Sequence, residues 1–127
     1  MIKTAVLLNL LTIIPLSNAL CQNLQSYKWK NRVVMIFGNN ATEQLVHKQW
    51  VALDADKKGL EERDVKIFVS PESQSMKKLR NETGFEIILI GKDGGVKKRK
   101  TSLMQTDELF GIIDSMPMRQ SEMRRKN

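Results

Sequence analysis

The chain has 127 residues with 41% hydrophobic and 28% charged content, an ordinary globular composition for one domain around one core. A net charge of +7 and a sequence pI of about 9.7 favour anionic partners such as polyanions, lipid headgroups or an acidic protein. The single cysteine, Cys21, and the single histidine, His47, exclude an intrachain disulfide, a cysteine-rich zinc site and a paired-histidine metal centre.

Residues 1–19 have the layout of a secretory signal peptide. Met1-Ile2-Lys3 supplies a positive start, and Thr4 to Leu16 is mostly apolar. Ser17-Asn18-Ala19 then sets small residues at the −3 and −1 positions of a cleavage site between Ala19 and Leu20. The apolar part is too short, and interrupted by Pro15, for a permanent span of ~20 residues. Lipidation at Cys21 calls for a small residue before it, and Leu20 stands there. The expectation is export to the periplasm or the medium, with no stable membrane anchor after cleavage.

Residues 20–31 read as a polar arm, with Tyr27 and Trp29 tucking onto the domain. Arg32 to Gly38 is an apolar run typical of a strand buried on both faces, and it breaks into the loop Gly38-Asn39-Asn40-Ala41-Thr42. Thr42 or Asn40 caps the helix that follows, and Glu43 suits its positive end. Val46, Trp50 and Leu53 share one face of that helix, and Lys57-Lys58-Gly59 supplies a stop signal before the polar turn Leu60 to Asp64.

Val65 to Val69 is a second strand closed by Ser70-Pro71, and Ser75 to Asn81 a short helix. Phe85 to Ile90 is a third strand. Asp93-Gly94 marks a hairpin returning as the edge strand Val96 to Ser102. In the last helix, after Thr106-Asp107-Glu108, Leu109, Ile112, Ile113 and Met116 form a core stripe. Pro117 stops this helix or starts a further turn, the domain runs 32–117, and residues 118–127 read as a basic tail that frays. The order β-α-β-(α)-β-β-α predicts an α/β thioredoxin-like sandwich with a mixed sheet of about four strands, the first two parallel through a right-handed crossover.

Few motifs survive inspection. Asp54-Ala55-Asp56 begins like a calcium loop, but Val65 stands where a glutamate is required. The glycines around Asp93 join two strands and lack the Gly-Lys-Ser/Thr ending of a phosphate cradle. His47 has no nucleophile elbow near it and reads as an exposed helix residue. No cofactor is expected. Cys21 lies in an arm without the fixed electropositive pocket that activates a thiol. Lys97-Lys98-Arg99-Lys100 lacks the interleaved aromatics that stack bases, so no nucleic acid is expected. Asn40-Ala41-Thr42 and Asn81-Glu82-Thr83 match the glycosylation sequon, which matters only in a eukaryotic source.

The strand Arg32 to Gly38, the segment Gln49-Trp50-Val51-Ala52-Leu53-Asp54-Ala55, the turn Leu60 to Asp64, the hairpin Ile90 to Lys97 and the ending Met116-Pro117-Met118-Arg119 together resemble the DUF4174 domain. That family occurs in small exported bacterial proteins and in vertebrate extracellular proteins of the sushi-repeat-containing and equarin type, where it is described as peroxiredoxin-like. The resemblance implies a thioredoxin-like fold and an extracytoplasmic location. It carries no established activity and therefore no functional residues. Where peroxiredoxins have a catalytic cysteine after the first strand, this chain has Asn39 and Asn40.

These readings lead to an exported module without active-site cysteines that binds a protein or an anionic surface component. Asn39, Asn40, Thr83 and Gly84 form the candidate binding loops at the ends of the central strands. Lys97, Lys98, Arg99 and Lys100, with Arg124-Arg125-Lys126, form a candidate patch for an anionic partner. The alternative is a thiol-dependent, peroxiredoxin-like redox enzyme using Cys21 or a partner's thiol.

Overall fold

The computed structural model describes residues 23–126. The cleavage site at Ala19 and Leu20, and Cys21 itself, lie outside the described residues. Four strands form one mixed sheet in the order β2-β1-β3-β4: β1 Arg32–Phe37, β2 Val65–Val69, β3 Glu86–Ile90 and β4 Val96–Lys100. β1 runs parallel to β2 and antiparallel to β3, and β3 is antiparallel to β4. The helices are α1 Glu43–Asp54, α2 Lys57–Glu62, α3 Gln74–Lys77, α4 Thr106–Asp114 and α5 Pro117–Lys126, with 3-10 turns at Leu24–Tyr27 and Asn40–Thr42.

The period-2 alternation of β1 and β3 sorts their side chains between two cores. Val34, Ile36, Ile87 and Leu89 face one layer, against Leu53 of α1, Leu60 of α2 and Leu109 and Ile113 of α4. Val33, Met35, Phe37, Ile88 and Ile90 face the other, under Met76 of α3. Burying side chains of this size stabilises the fold by about 1.5–3 kcal/mol each, so the two central strands hold the layers together. Tyr27 packs edge-on against Phe68, with ring centroids 5.3 Å apart. Among the described residues, no helix is long and apolar enough to cross a membrane.

Three local expectations are corrected. Gly59 does not end a helix. The chain breaks at Ala55-Asp56, the Asp56 carboxylate accepts from the Gly59 amide at 2.9 Å, and α2 continues to Glu62. A Cβ at Gly59 would meet the Phe110 ring at 2.5 Å, so the glycine serves close packing rather than a turn. Trp29 does not tuck in: its backbone sits at φ 69° and the residue is 61% exposed. Residues 117–126 do not fray; they form α5, whose Arg119 is buried. Pro117 suits this start, because the first helical position needs no amide donor.

Candidate functional site

The loops after β1 and before β3 meet at the same end of the sheet, because Phe37 pairs with Glu86 in antiparallel register. Asn39 accepts from the Thr42 amide at 3.0 Å and Thr42 Oγ1 accepts from the Asn39 amide at 2.8 Å, a reciprocal cap that fixes the loop. The Asn39 side chain therefore works on its own backbone, and Asn40 and Thr83 are exposed. A Cβ at Gly84 would lie 4.0 Å from the Thr42 methyl, so the two predicted loops adjoin.

Arg80 holds them together. Its Nη2 donates to the carbonyls of Gly38 at 3.0 Å, Thr83 at 2.6 Å and Gly84 at 3.0 Å, and its Nε to the Glu82 carbonyl at 2.7 Å. The guanidinium also sits 5.2 Å from the centre of the Phe37 ring. Beside it opens a pocket of about 220 Å³ lined by Phe37, Gly38, Ser70, Pro71, Glu72 and Lys77. Sequence reading missed Arg80, since carbonyl partners leave no pattern in residue types.

The cationic run on β4 is not brought onto one face. Lys98 and Lys100 stand opposite Leu89 and Ile87, whereas Arg99 stands opposite Ile88, and a register shift leaves Lys97 between the paired positions. Lys97 is paired with Asp93 at 2.8 Å, Lys100 with Glu108 at 2.8 Å and Arg99 with the buried Glu86 at 3.6 Å. Lys98, Arg124, Arg125 and Lys126 are exposed. His47 is exposed on α1. Among the described residues, no group of three His, Cys, Asp or Glu side chains is placed to hold a metal ion.

The densest charge cluster lies at the other end of the sheet. Arg32, 1% exposed, grips both oxygens of Glu122 at 3.2 and 3.3 Å and donates to the Arg63 carbonyl at 2.9 Å. Lys92 bonds Glu122 and Asp64, each at 2.8 Å. Arg63 and Arg119 share Asp114, and Arg63 stacks 3.9 Å from the centre of the Phe110 ring. Among the described residues, the Arg32 Nε is a buried side-chain donor with no partner.

Burial opposes ionisation of Glu122, but hydrogen bonds from Lys92 and Arg32 outweigh it and hold the pKa below the ordinary 4.5. Burial likewise opposes ionisation of Asp114, and bonds from Arg63 and Arg119 hold it below 3.8. A depressed folded pKa contributes stability that is present above the unfolded value and lost as pH falls through the folded one. Urea midpoints are therefore expected to fall as the pH is lowered from about 5 to about 3. Glu122→Gln should flatten that decline.

The model of the family described as "Domain of unknown function (DUF4174)" matches residues 23–122. No curated protein sequence matches the chain. Among the solved structures that share its fold are two from Plasmodium. A reduced 2-Cys peroxiredoxin of Plasmodium vivax has a TM-score of 0.55 at 15% identity, covering 82% of this chain and 85% of that one. Thioredoxin peroxidase I of Plasmodium yoelii has a TM-score of 0.52 at 16% identity, covering 77% and 79%. The sheet is thus that of a thioredoxin fold, as the order of elements predicts. At these identities the likeness extends to the fold alone.

Proposed function

We propose that this chain, which belongs to the DUF4174 domain family, is an exported thioredoxin-fold module that works by binding a protein. The observation that carries the reading is the pair of loops tied by Arg80. They present Asn40 and Thr83 at the carboxyl end of β1, with no cysteine anywhere in residues 23–126. Ligands in open α/β sheets gather at that end of the strands. Asn40 and Thr83 are neutral and polar, flanked by the exposed carboxylates Glu43 and Glu82, which suits hydrogen bonding to a protein surface rather than capture of an anion. An anionic surface component would instead call on β4, where ion pairs already engage Lys97, Arg99 and Lys100.

The test places a photo-crosslinker at position 40 or 83, with exposed Lys66 on β2 as the control, in the exported protein. Crosslinks to one partner from positions 40 and 83 but not from 66 are expected. Asn40→Arg combined with Thr83→Arg should weaken that partner's binding about tenfold or more, equivalent to about 1.4 kcal/mol. Equal crosslinking from position 66, or unchanged binding by the double variant, would overturn the placement. Peroxide or disulfide turnover that disappears in Cys21→Ser would overturn the binding reading itself.

A further inference from the structure

A second cavity, of about 480 Å³, lies at the opposite end of the sheet from those loops, between the β3–β4 hairpin and the junction of α4 with α5. One wall is charged, with Arg32, Lys92 and Lys97 against a single carboxylate, Asp93. The other is apolar, with Ile112, Met116, Pro117 and Met118. The volume is that of a small-molecule site, and a largely apolar lining with a few converging charges is how such sites bind and orient a ligand.

The charge balance defines what fits. The lining itself carries three cations, Arg32, Lys92 and Lys97, and one carboxylate, Asp93; Glu122 and Asp64 pair with Arg32 and Lys92 from outside the lining. Hydrogen-bonding capacity is unspent as well. The Lys92 ammonium, with three donors, is engaged by two carboxylates. The Lys97–Asp93 pair at the mouth is partly exposed, and such pairs exchange partners at little cost.

We propose that this cleft binds a small amphiphilic carboxylate, an organic acid with an apolar body. Its carboxylate lies on the Lys92–Lys97 wall beside Arg32, and its body runs along Met116, Pro117 and Met118. The carboxylate answers the cationic side chains of the lining, and the apolar wall answers the body. The site is separate from the protein-binding loops and does not depend on them.

The methionines make the cleft directly observable. With methyl-13C methionine in the full chain, decanoate is the probe. The Met116 and Met118 signals are expected to shift in a saturable way, while those of the buried Met76 and Met104 stay in place. Lys97→Glu should weaken decanoate binding at least tenfold, and unmoved Met76 and Met104 signals verify that this variant is folded. Two further arms use decanol and inorganic phosphate. Decanol binding as tightly as decanoate would remove the role of charge. Phosphate producing the same shifts would remove the role of the apolar body. Either result, or the absence of saturable shifts with decanoate, overturns the proposal.

Discussion

Glu122→Ala is expected to destabilise the domain by about 3–5 kcal/mol, the usual cost of removing one member of a buried ion pair. Glu122 is 11% exposed and answers both Arg32 and Lys92, which are 1% and 9% exposed. Without it the Arg32 guanidinium keeps the Arg63 carbonyl but no counter-charge, inside a strand whose six residues are all buried. For a domain of this size the thermal midpoint should fall by at least about 12 °C. Glu122→Gln should recover part of the loss, because an amide oxygen still accepts one bond. Thermal denaturation at neutral pH reads the effect. A loss below about 1 kcal/mol would place the cluster in solvent and make it an ordinary surface network.

That cluster is also where sequence reading stops. The apolar runs of β1 and β3, the spacing of Leu109, Ile112 and Ile113, and the Asp93-Gly94 turn are local patterns, and they place the sheet and its helices. The Arg32–Glu122 pair joins residues 90 positions apart, and neither residue type marks the other. Residues 118–127 carry no apolar stripe, so they read as a tail; Arg119 and Glu122 pack through ion pairs and backbone carbonyls instead. Gly59 misled for a similar reason. A glycine after two lysines suits a helix end, yet here its bare Cα makes room for the Phe110 ring, contributed from another helix.

The loops Gly38–Thr42 and Thr83-Gly84 were legible as neighbours, but the side chain that ties them was not. An apolar strand that breaks into Gly38-Asn39-Asn40 marks where an open α/β sheet presents its ligand site. The residue types do not separate Asn39, spent on the Thr42 cap, from Asn40, which is simply exposed. The four consecutive cations of β4 alternate between faces, and neighbouring acids pair with Lys97, Arg99 and Lys100, which the residue types alone do not show.

Gln49→Leu is the second substitution with a large expected effect. Gln49 lies fully buried on α1, and its side chain forms a two-way bridge to the backbone of Met104 in the β4–α4 loop. Its Nε2 donates to the Met104 carbonyl at 2.9 Å, and its Oε1 accepts from the Met104 amide at 2.7 Å. Leucine has nearly the same volume and would remain in the core, but it satisfies neither group. Each buried backbone group left without a partner costs about 1–3 kcal/mol, so the loss should be roughly 2–4 kcal/mol, offset in part by burial of the added apolar surface. Gln49→Glu separates shape from bonding: its oxygen can still accept from the Met104 amide, but a buried carboxylate facing a carbonyl must take up a proton. That variant should therefore gain stability as the pH falls from about 7 to about 5. The sign is opposite to that of Glu122, because here burial raises the folded pKa and stability is lost as pH rises. Equal urea midpoints for wild type and Gln49→Leu would mean that water reaches Met104 and that the bridge does not hold α1 to the loop.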